Sequence, residues 1–154
     1  MNEPTKNVSV EALGHYSESD AAMLGALLAE LSSQFSGEPV EESTIRNIIE
    51  SPSHDVLVAR LQDGTIVGTA TLSIIRGIGA GTNAYLEDFI VSEHHRGQGI
   101  SDQLWQAVLD WCSIHQLGKL AFTSRPERAA AHRFYLKHGA TVRDTSAFVK
   151  IIEK

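Results

Sequence analysis

The chain has 154 residues, 42% of them hydrophobic and 21% charged, with a formal net charge of -6. Such a length and balance suit a single globular domain spanning residues 1–154 and leave no compositional bias toward disorder. The acidic excess argues against general nucleic-acid binding and suits a cationic amine partner. No apolar run reaches the ~20 residues that span a bilayer, and the polar start from Met1 to Ser9 does not read as a secretory leader, so a cytoplasmic protein without membrane contact is expected. Cys112 is the only cysteine, which excludes an intrachain disulfide and a zinc knuckle; it falls inside a helix pattern, where a buried inert thiol is expected, and no metal is implied.

Val8, Val10 and Ala12 alternate between Asn7 and Leu13, which predicts a first strand. Ser17-Glu-Ser-Asp20 predicts a helix start with Ser17 as N-cap, and Leu24, Leu27, Leu28, Leu31 and Phe35 then recur at spacings of three and four along one face. Gly37-Glu-Pro39 breaks that period. Glu41-Glu42 opens a second, short helix whose Ile45, Ile48 and Ile49 share a face before Ser51-Pro52 stops it. From Val56 the period becomes that of strands: Val56 to Leu61, a turn at Asp63-Gly64, and Ile66 to Ile75. The glycine-rich segment from Arg76 to Asn83 is bracketed by strands, whereas a dinucleotide loop must open a helix, so it reads as a flexible hairpin connection able to serve as a mobile lip.

Tyr85 to Val91 predicts the central strand, and it carries two carboxylates, Glu87 and Asp88, in an otherwise apolar run. Strict alternation would place Tyr85, Glu87, Phe89 and Val91 on one face and Leu86, Asp88 and Ile90 on the other. A buried carboxylate needs a partner or a raised pKa; it is either a base able to deprotonate an ammonium or a group held by nearby backbone N–H groups that fixes the strand.

A polar turn follows, Ser92 to His95, and then Arg96-Gly97-Gln98-Gly99-Ile100-Ser101 before a helix-period run. Free N–H groups at a helix start, the positive end of its dipole, glycines that admit a bulky anion and an adjacent arginine together describe a phosphate cradle. The helix runs from Ile100 to His115, with Ile100, Leu104, Ala107, Val108 and Trp111 as its core stripe and Trp105 packing beside it. Leu120 to Ser124 predicts a strand parallel to the central one, because a crossover helix separates the two. Arg125-Pro-Glu-Arg128 predicts the start of a last helix, which continues through His132, Phe134 and Tyr135 to a C-cap at Gly139; His132 is expected to be solvated. Phe148 to Ile152 predicts a final antiparallel strand.

The Arg96 to Ser101 run resembles the acyl-CoA-binding signature of the GNAT superfamily of N-acetyltransferases, Gln/Arg-x-x-Gly-x-Gly/Ala, with Ser101 where the family prefers Gly or Ala and where a hydroxyl has the chance to cap the helix. The segment from Arg128 to Gly139 resembles the second signature, Asn-x-x-Ala-x-x-Phe/Tyr-Tyr-x-x-x-Gly-Phe: Ala131, Phe134, Tyr135 and Gly139 match, Arg128 replaces Asn and Ala140 replaces Phe. The resemblance covers roughly Val56 to the C-terminus.

The resemblance implies an α/β fold of the GNAT type, with a mixed, splayed central sheet and helices on both faces. It implies acetyl-CoA as co-substrate and transfer of acetyl to a primary amine of a small molecule or peptide, the first two helices flanking the acceptor groove. The diphosphate would lie over Arg96, Gly97, Gln98, Gly99, Ile100, Ser101 and Asp102, and the pantetheine arm would pair with backbone at Phe89, Ile90 and Val91. Arg128 would contact a phosphate or the acceptor. Glu87, preferred to Asp88 because family members often hold a glutamate there, or a water chain would take the amine proton. Tyr135 would protonate the departing thiolate or pack the arm. A homodimer is a frequent family arrangement. A non-catalytic acyl-CoA-binding module, or a transferase of a longer acyl group, is the competing reading.

Overall fold

The structure, a computed structural model, describes residues 7–154. They form two compact units, one running to Phe122 and the other Thr123–Lys154. The first contains β1 (Val8–Ala12), α1 (Glu18–Leu31), α2 (Glu42–Ile49), β2 (His54–Leu61), β3 (Ile66–Gly77), β4 (Gly81–Val91), a one-turn 3-10 helix (Glu93–His95), α3 (Ile100–Ile114) and β5 (Leu120–Ala121). The second contains α4 (Ala129–Lys137). Among the described residues no helix is long and apolar enough to cross a membrane.

The sheet runs in the order β1-β2-β3-β4-β5, antiparallel throughout except for the parallel pair β4–β5. The parallel pair follows from α3, which carries the chain back across the sheet before β5 begins. Alternation along β2 divides the core. Val56 and Val58 pack with Leu24 and Leu27 of α1 and Ile45 of α2, while the intervening positions face α3, whose Trp111 Nε1 donates to Asp55 Oδ2 at 2.7 Å. Helices therefore cover both faces, and the fold is α/β.

Local chemistry explains the helix ends. Ser17 Oγ accepts from Asp20 N–H at 3.1 Å, as an N-cap does. Asp20 also receives a two-pronged contact from Arg60 of β2, Nη1 to Oδ1 at 2.9 Å and Nη2 to Oδ2 at 3.1 Å, while Arg60 Nε reaches Glu11 of β1. One arginine thus fastens α1 to two strands. At the end of α3 the left-handed residue is a non-glycine, Gln116, φ 56°; Leu117 N–H then closes on Cys112 O at 2.9 Å. Phe35, expected on the α1 face, lies beyond the helix, which stops at Leu31.

Two sequence expectations fail in the second unit. Pro126 and Glu127 precede α4 rather than opening it, with Arg128 at the N-cap position. Residues 140–154 form neither helix nor strand, and Phe148, Val149, Ile151 and Ile152 are exposed. Strand propensity reports how well a residue suits a pleated, half-buried surface, and it makes no strand where no neighbour supplies that surface.

The segment after α1 is pinned to the helix: Val40 N–H donates to Ala21 O at 3.0 Å, and a Cβ placed on Gly25 would overlap the Glu38 carbonyl. Backbone meets backbone there, so neither side can yield cheaply. Gly25→Ala is expected to destabilise by about 1–3 kcal/mol, as overpacking does, despite the helix preference of alanine. Urea denaturation checks this, and equal or higher stability would contradict the packing argument.

Candidate functional site

The turn from β4 into α3 is shaped by two left-handed glycines, Gly97 at φ 75° and Gly99 at φ 79°, with extended Arg96 before them. A Cβ built on either glycine meets no protein atom within 4 Å, so backbone angle rather than crowding demands glycine, and the face they present is open. Gly99 is the N-cap of α3, and no side chain caps the helix; Ser101 stands inside the first turn and does not serve as the cap its hydroxyl suggested. Intrahelical bonding starts with Gln103 N–H to Gly99 O at 3.1 Å, so the N–H groups of Ile100 and Ser101 have no acceptor within the helix. Arg96, exposed, donates from Nε to Val91 O at 3.3 Å and fastens the turn to the end of β4. Gln98 Oε1 is buried without a hydrogen-bond partner among the described residues. Unbonded backbone donors, an uncapped helix dipole and an arginine at its edge fit a diphosphate.

β4 departs from the alternation expected of it. Thr69 pairs with Ile90 and Thr71 with Glu87, so one β3 residue between them faces two on β4, Asp88 and Phe89. Asp88 takes the left-handed conformation, φ 54°, at this bulge. Beyond it the faces are exchanged: Phe89 meets Trp105 of α3 edge-on at 5.9 Å, and Ile90 packs in the cluster of α1 and α2. Residues directly opposite in a ladder share a face, so Glu87 lies on the side of Thr71; Thr71 Oγ1 in turn donates to Asp88 Oδ2 at 3.2 Å. Both carboxylates therefore stand on the face covered by α1 and α2, where alternation would have separated them. Trp105 is buried, as expected, and its edge contacts with Phe89 and Phe122 brace β4 from the α3 side. The β4–β5 ladder consists of Ala84–Leu120 and Tyr85–Ala121 and goes no further, although β4 continues to Val91.

The two carboxylates differ in setting. Glu87 is exposed, whereas Asp88 is half-buried, and burial raises its pKa against the opposing hydrogen bond from Thr71. Asp88 also lines a cavity of ≈ 340 Å³ bounded by α1, the segment Phe35 to Val40 and Thr44 of α2. This cavity and the bulge that turns Asp88 toward it escaped the sequence reading. The available signal was an aspartate, one of the few residues besides glycine that tolerates left-handed backbone, next to a glutamate in an apolar strand.

In the second unit α4 carries Arg128, His132 and Tyr135. Burial raises the Tyr135 phenol pKa while the charge of Arg128 pulls it the other way, so the phenol keeps its proton throughout the neutral range. His132, expected to be solvated, is half-buried with Nε2 shielded and without a hydrogen-bond partner among the described residues. Gly139, φ 87°, ends the helix, with Gly139 N–H on Leu136 O and Ala140 N–H on Tyr135 O. That is the paired C-terminal closure a glycine permits.

An α/β fold whose bulged strand leads through a two-glycine turn into an uncapped helix start has the form of a fold that receives a phosphate-bearing ligand. The profile of the acetyltransferase (GNAT) family matches residues 24–140, and the chain belongs to that family. A search of curated protein sequences gives no match. Among solved structures it resembles an aminoglycoside acetyltransferase from an uncultured soil metagenomic sample, in complex with sisomicin (TM-score 0.80, 17% identity, 96% of this chain and 97% of that one). It also resembles an acetyltransferase of Trypanosoma brucei (0.75, 21%, 94% and 100%) and a ribosomal-protein-alanine N-acetyltransferase of Brucella melitensis biovar Abortus 2308 (0.70, 20%, 94% and 100%). At these identities the likeness concerns the fold. Family membership makes the chain an acyltransferase of the kind that takes acyl-CoA.

Two measurements follow from this geometry. Gly97→Ala and Gly99→Ala each force a side chain into left-handed backbone, at about 1–2 kcal/mol, and place a methyl on the cradle face. CoA affinity by titration calorimetry should fall at least about tenfold, which corresponds to ~1.4 kcal/mol, with the circular dichroism spectrum retained; unchanged affinity would show that the anion sits elsewhere. The raised pKa of Asp88 means that the native state holds this proton more tightly than the unfolded chain does. Stability is therefore lost as pH rises from the ordinary aspartate value of ~3.9 through the native pKa, and the cost is complete above it. Asp88→Asn, which tolerates the same backbone, should be more stable than the parent at neutral pH and lose that advantage below ~3.9; a thermal-unfolding series against pH decides it.

Proposed function

We propose that this chain is an N-acetyltransferase that moves acetyl from acetyl-CoA to a primary amine by direct attack within a ternary complex. The observation that carries this reading is the uncapped start of α3, built on two left-handed glycines and reached from bulged β4 through the one-turn 3-10 helix. When bound, acetyl-CoA supplies the thioester and a diphosphate handle.

The chain's own groups then have distinct tasks. Backbone from Gly97 to Asp102, with Arg96 and Gln98, holds the diphosphate by hydrogen bonds and dipole. The β4 edge at Phe89, Ile90 and Val91, beyond the short ladder with β5, pairs with the pantetheine arm as an added strand would, and its N–H groups polarise the thioester carbonyl. Glu87 or a water chain takes the amine proton, with Asp88 on the same face. Tyr135 protonates the departing thiolate, and Arg128 tunes that phenol. Most of the rate comes from alignment and from donors aimed at the developing oxyanion. An acyl-cysteine intermediate is disfavoured: Cys112 is buried in α3, and burial raises its thiol pKa, away from the reactive thiolate.

The same fold serves a protein named for ribosomal-protein alanine and one solved with sisomicin, so peptide and small-molecule amines are both compatible with it. Incubation with acetyl-CoA and an amine library, read by thiol release and by the mass of the acceptor, tests the reading. Tyr135→Phe should lower kcat by about 10²-fold, the lower end of general-acid contributions, and leave CoA affinity unchanged. Unchanged kcat would reduce Tyr135 to a packing residue, and absence of CoA affinity in the parent protein would remove the transferase assignment altogether.

A further inference from the structure

We propose that the cavity beside Asp88 seats the acceptor, and that the acceptor is a small diamine: a primary ammonium held by Asp88, a short apolar stem, and a second cationic group drawn by Glu38. This rests on the transferase reading above and names its substrate class.

Three observations converge. The cavity, ≈ 340 Å³, has room for a small molecule but not for a folded protein surface. Its wall is apolar at Leu28, Phe35 and Val40, carries carboxylate residues at Asp88 and Glu38, and contains no lysine or arginine. A site so lined attracts cations and disfavours acceptors with a carboxylate near the amine.

The second observation is backbone strain. Asp88 is one of two non-glycine residues with positive φ among those described, and it sits at the bulge where β4 departs from regular pairing. Strain of this kind persists only where surrounding structure enforces it, and it commonly marks a working group. Here it brings Asp88 to the face of Glu87 and against the cavity. Thr71 Oγ1 holds one carboxylate oxygen, Oδ2, while Oδ1 has no protein partner among the described residues. The third is adjacency: Asp88 immediately precedes the Phe89 to Val91 edge assigned to the thioester arm, so an amine on Oδ1 lies next to the carbonyl it attacks.

The requirement for a second charge follows from the reaction. The attacking nitrogen, anchored on Asp88, must first shed a proton to Glu87 or to a water chain, the acceptors assigned above. The neutral nitrogen then forms the C–N bond to the thioester carbon, the C–S bond breaks, the second nitrogen proton leaves to water, and the thiolate takes a proton from Tyr135. After the first step a monoamine is no longer a cation, and the acidic cavity ceases to hold it. A diamine keeps one charge through the transition state, where binding accelerates the reaction. The acetylated product has lost one of its two charges and leaves more readily.

The test uses the full chain and has two arms. In the first, the protein without CoA is titrated with 1,5-diaminopentane and with hexylamine, followed by amide shifts of Leu28, Phe35 and Asp88. The diamine should bind at least about tenfold tighter, Glu38→Gln should abolish that preference, and Asp88→Asn should weaken binding of both amines while remaining folded. In the second, kcat/KM with acetyl-CoA is compared for alkane diamines of three to eight carbons, hexylamine and 6-aminohexanoate. The diamines should lead, the amino acid should be slowest, and Glu38→Gln should raise KM for diamines without affecting hexylamine. Equal binding or turnover of hexylamine and diamine, a Glu38→Gln variant that keeps the preference, or an Asp88→Asn variant that binds both amines as the parent does, overturns the inference. Normal CoA affinity and acetylation of other amines with the diamines rejected would overturn it alone, whereas diamine binding without CoA affinity would sustain the cation site and sink the transferase reading.

Discussion

One extra residue in β4 decides where the side chains of the candidate site point. Without the bulge at Asp88 and Phe89, Glu87 and Asp88 would stand on opposite faces of the sheet, and Phe89 would face away from Trp105. Left-handed backbone at a non-glycine residue costs about 1–2 kcal/mol. It is offset by contacts that exist only in the bulged register: Thr71 on the Asp88 carboxylate, the edge contact of Phe89 with Trp105, and Ile90 in the core beneath α1 and α2. A slip to regular pairing would give up all three at once, so the register is specified from both faces of the sheet.

The same strand runs into the cradle, and α3 holds the cradle still. Trp111 binds Asp55 of β2 near the far end of α3, Trp105 packs against Phe89 near its start, and Leu104 and Val108 on the same helix are fully buried. A helix seated along its whole length presents its first-turn N–H groups in a fixed direction. The positioning that the proposed chemistry requires is thus supplied by core packing rather than by loop residues, which accords with a reaction whose rate depends on alignment.

Most of the fold was legible because it is written in periodicity. The 3.6 period of α1, α2 and α3 and the Asp63-Gly64 turn announced the core and the first hairpin, and the glycine turn that opens α3 was legible because its glycines are dictated by backbone angle. What alternation cannot express is a bulge: a period of two carries no mark of where one residue is added, so Phe89 and Ile90 were assigned to the wrong faces. The cavity was hidden for another reason. Its wall from Phe35 to Val40 is irregular segment, held against α1 because Gly25 leaves room for the Glu38 carbonyl, and a tertiary contact of that sort leaves no periodic trace. The segment Phe148 to Ile152 shows the opposite error, where residues suited to a strand are exposed without forming one.

Burial of Asp88 sets stability against function. A half-buried carboxylate with a single hydroxyl donor is poorly compensated, and its charged form weakens the fold at neutral pH. An asparagine at position 88, which tolerates the same backbone, would relieve that cost, and selection for stability alone would favour it. The aspartate becomes intelligible once a cation completes its surroundings: an ammonium on the open Oδ1 supplies the missing charge, lowers the cost of ionisation and is itself desolvated beside the β4 edge. On this argument the same electrostatic deficit that weakens the ligand-free chain is the source of its attraction for an amine.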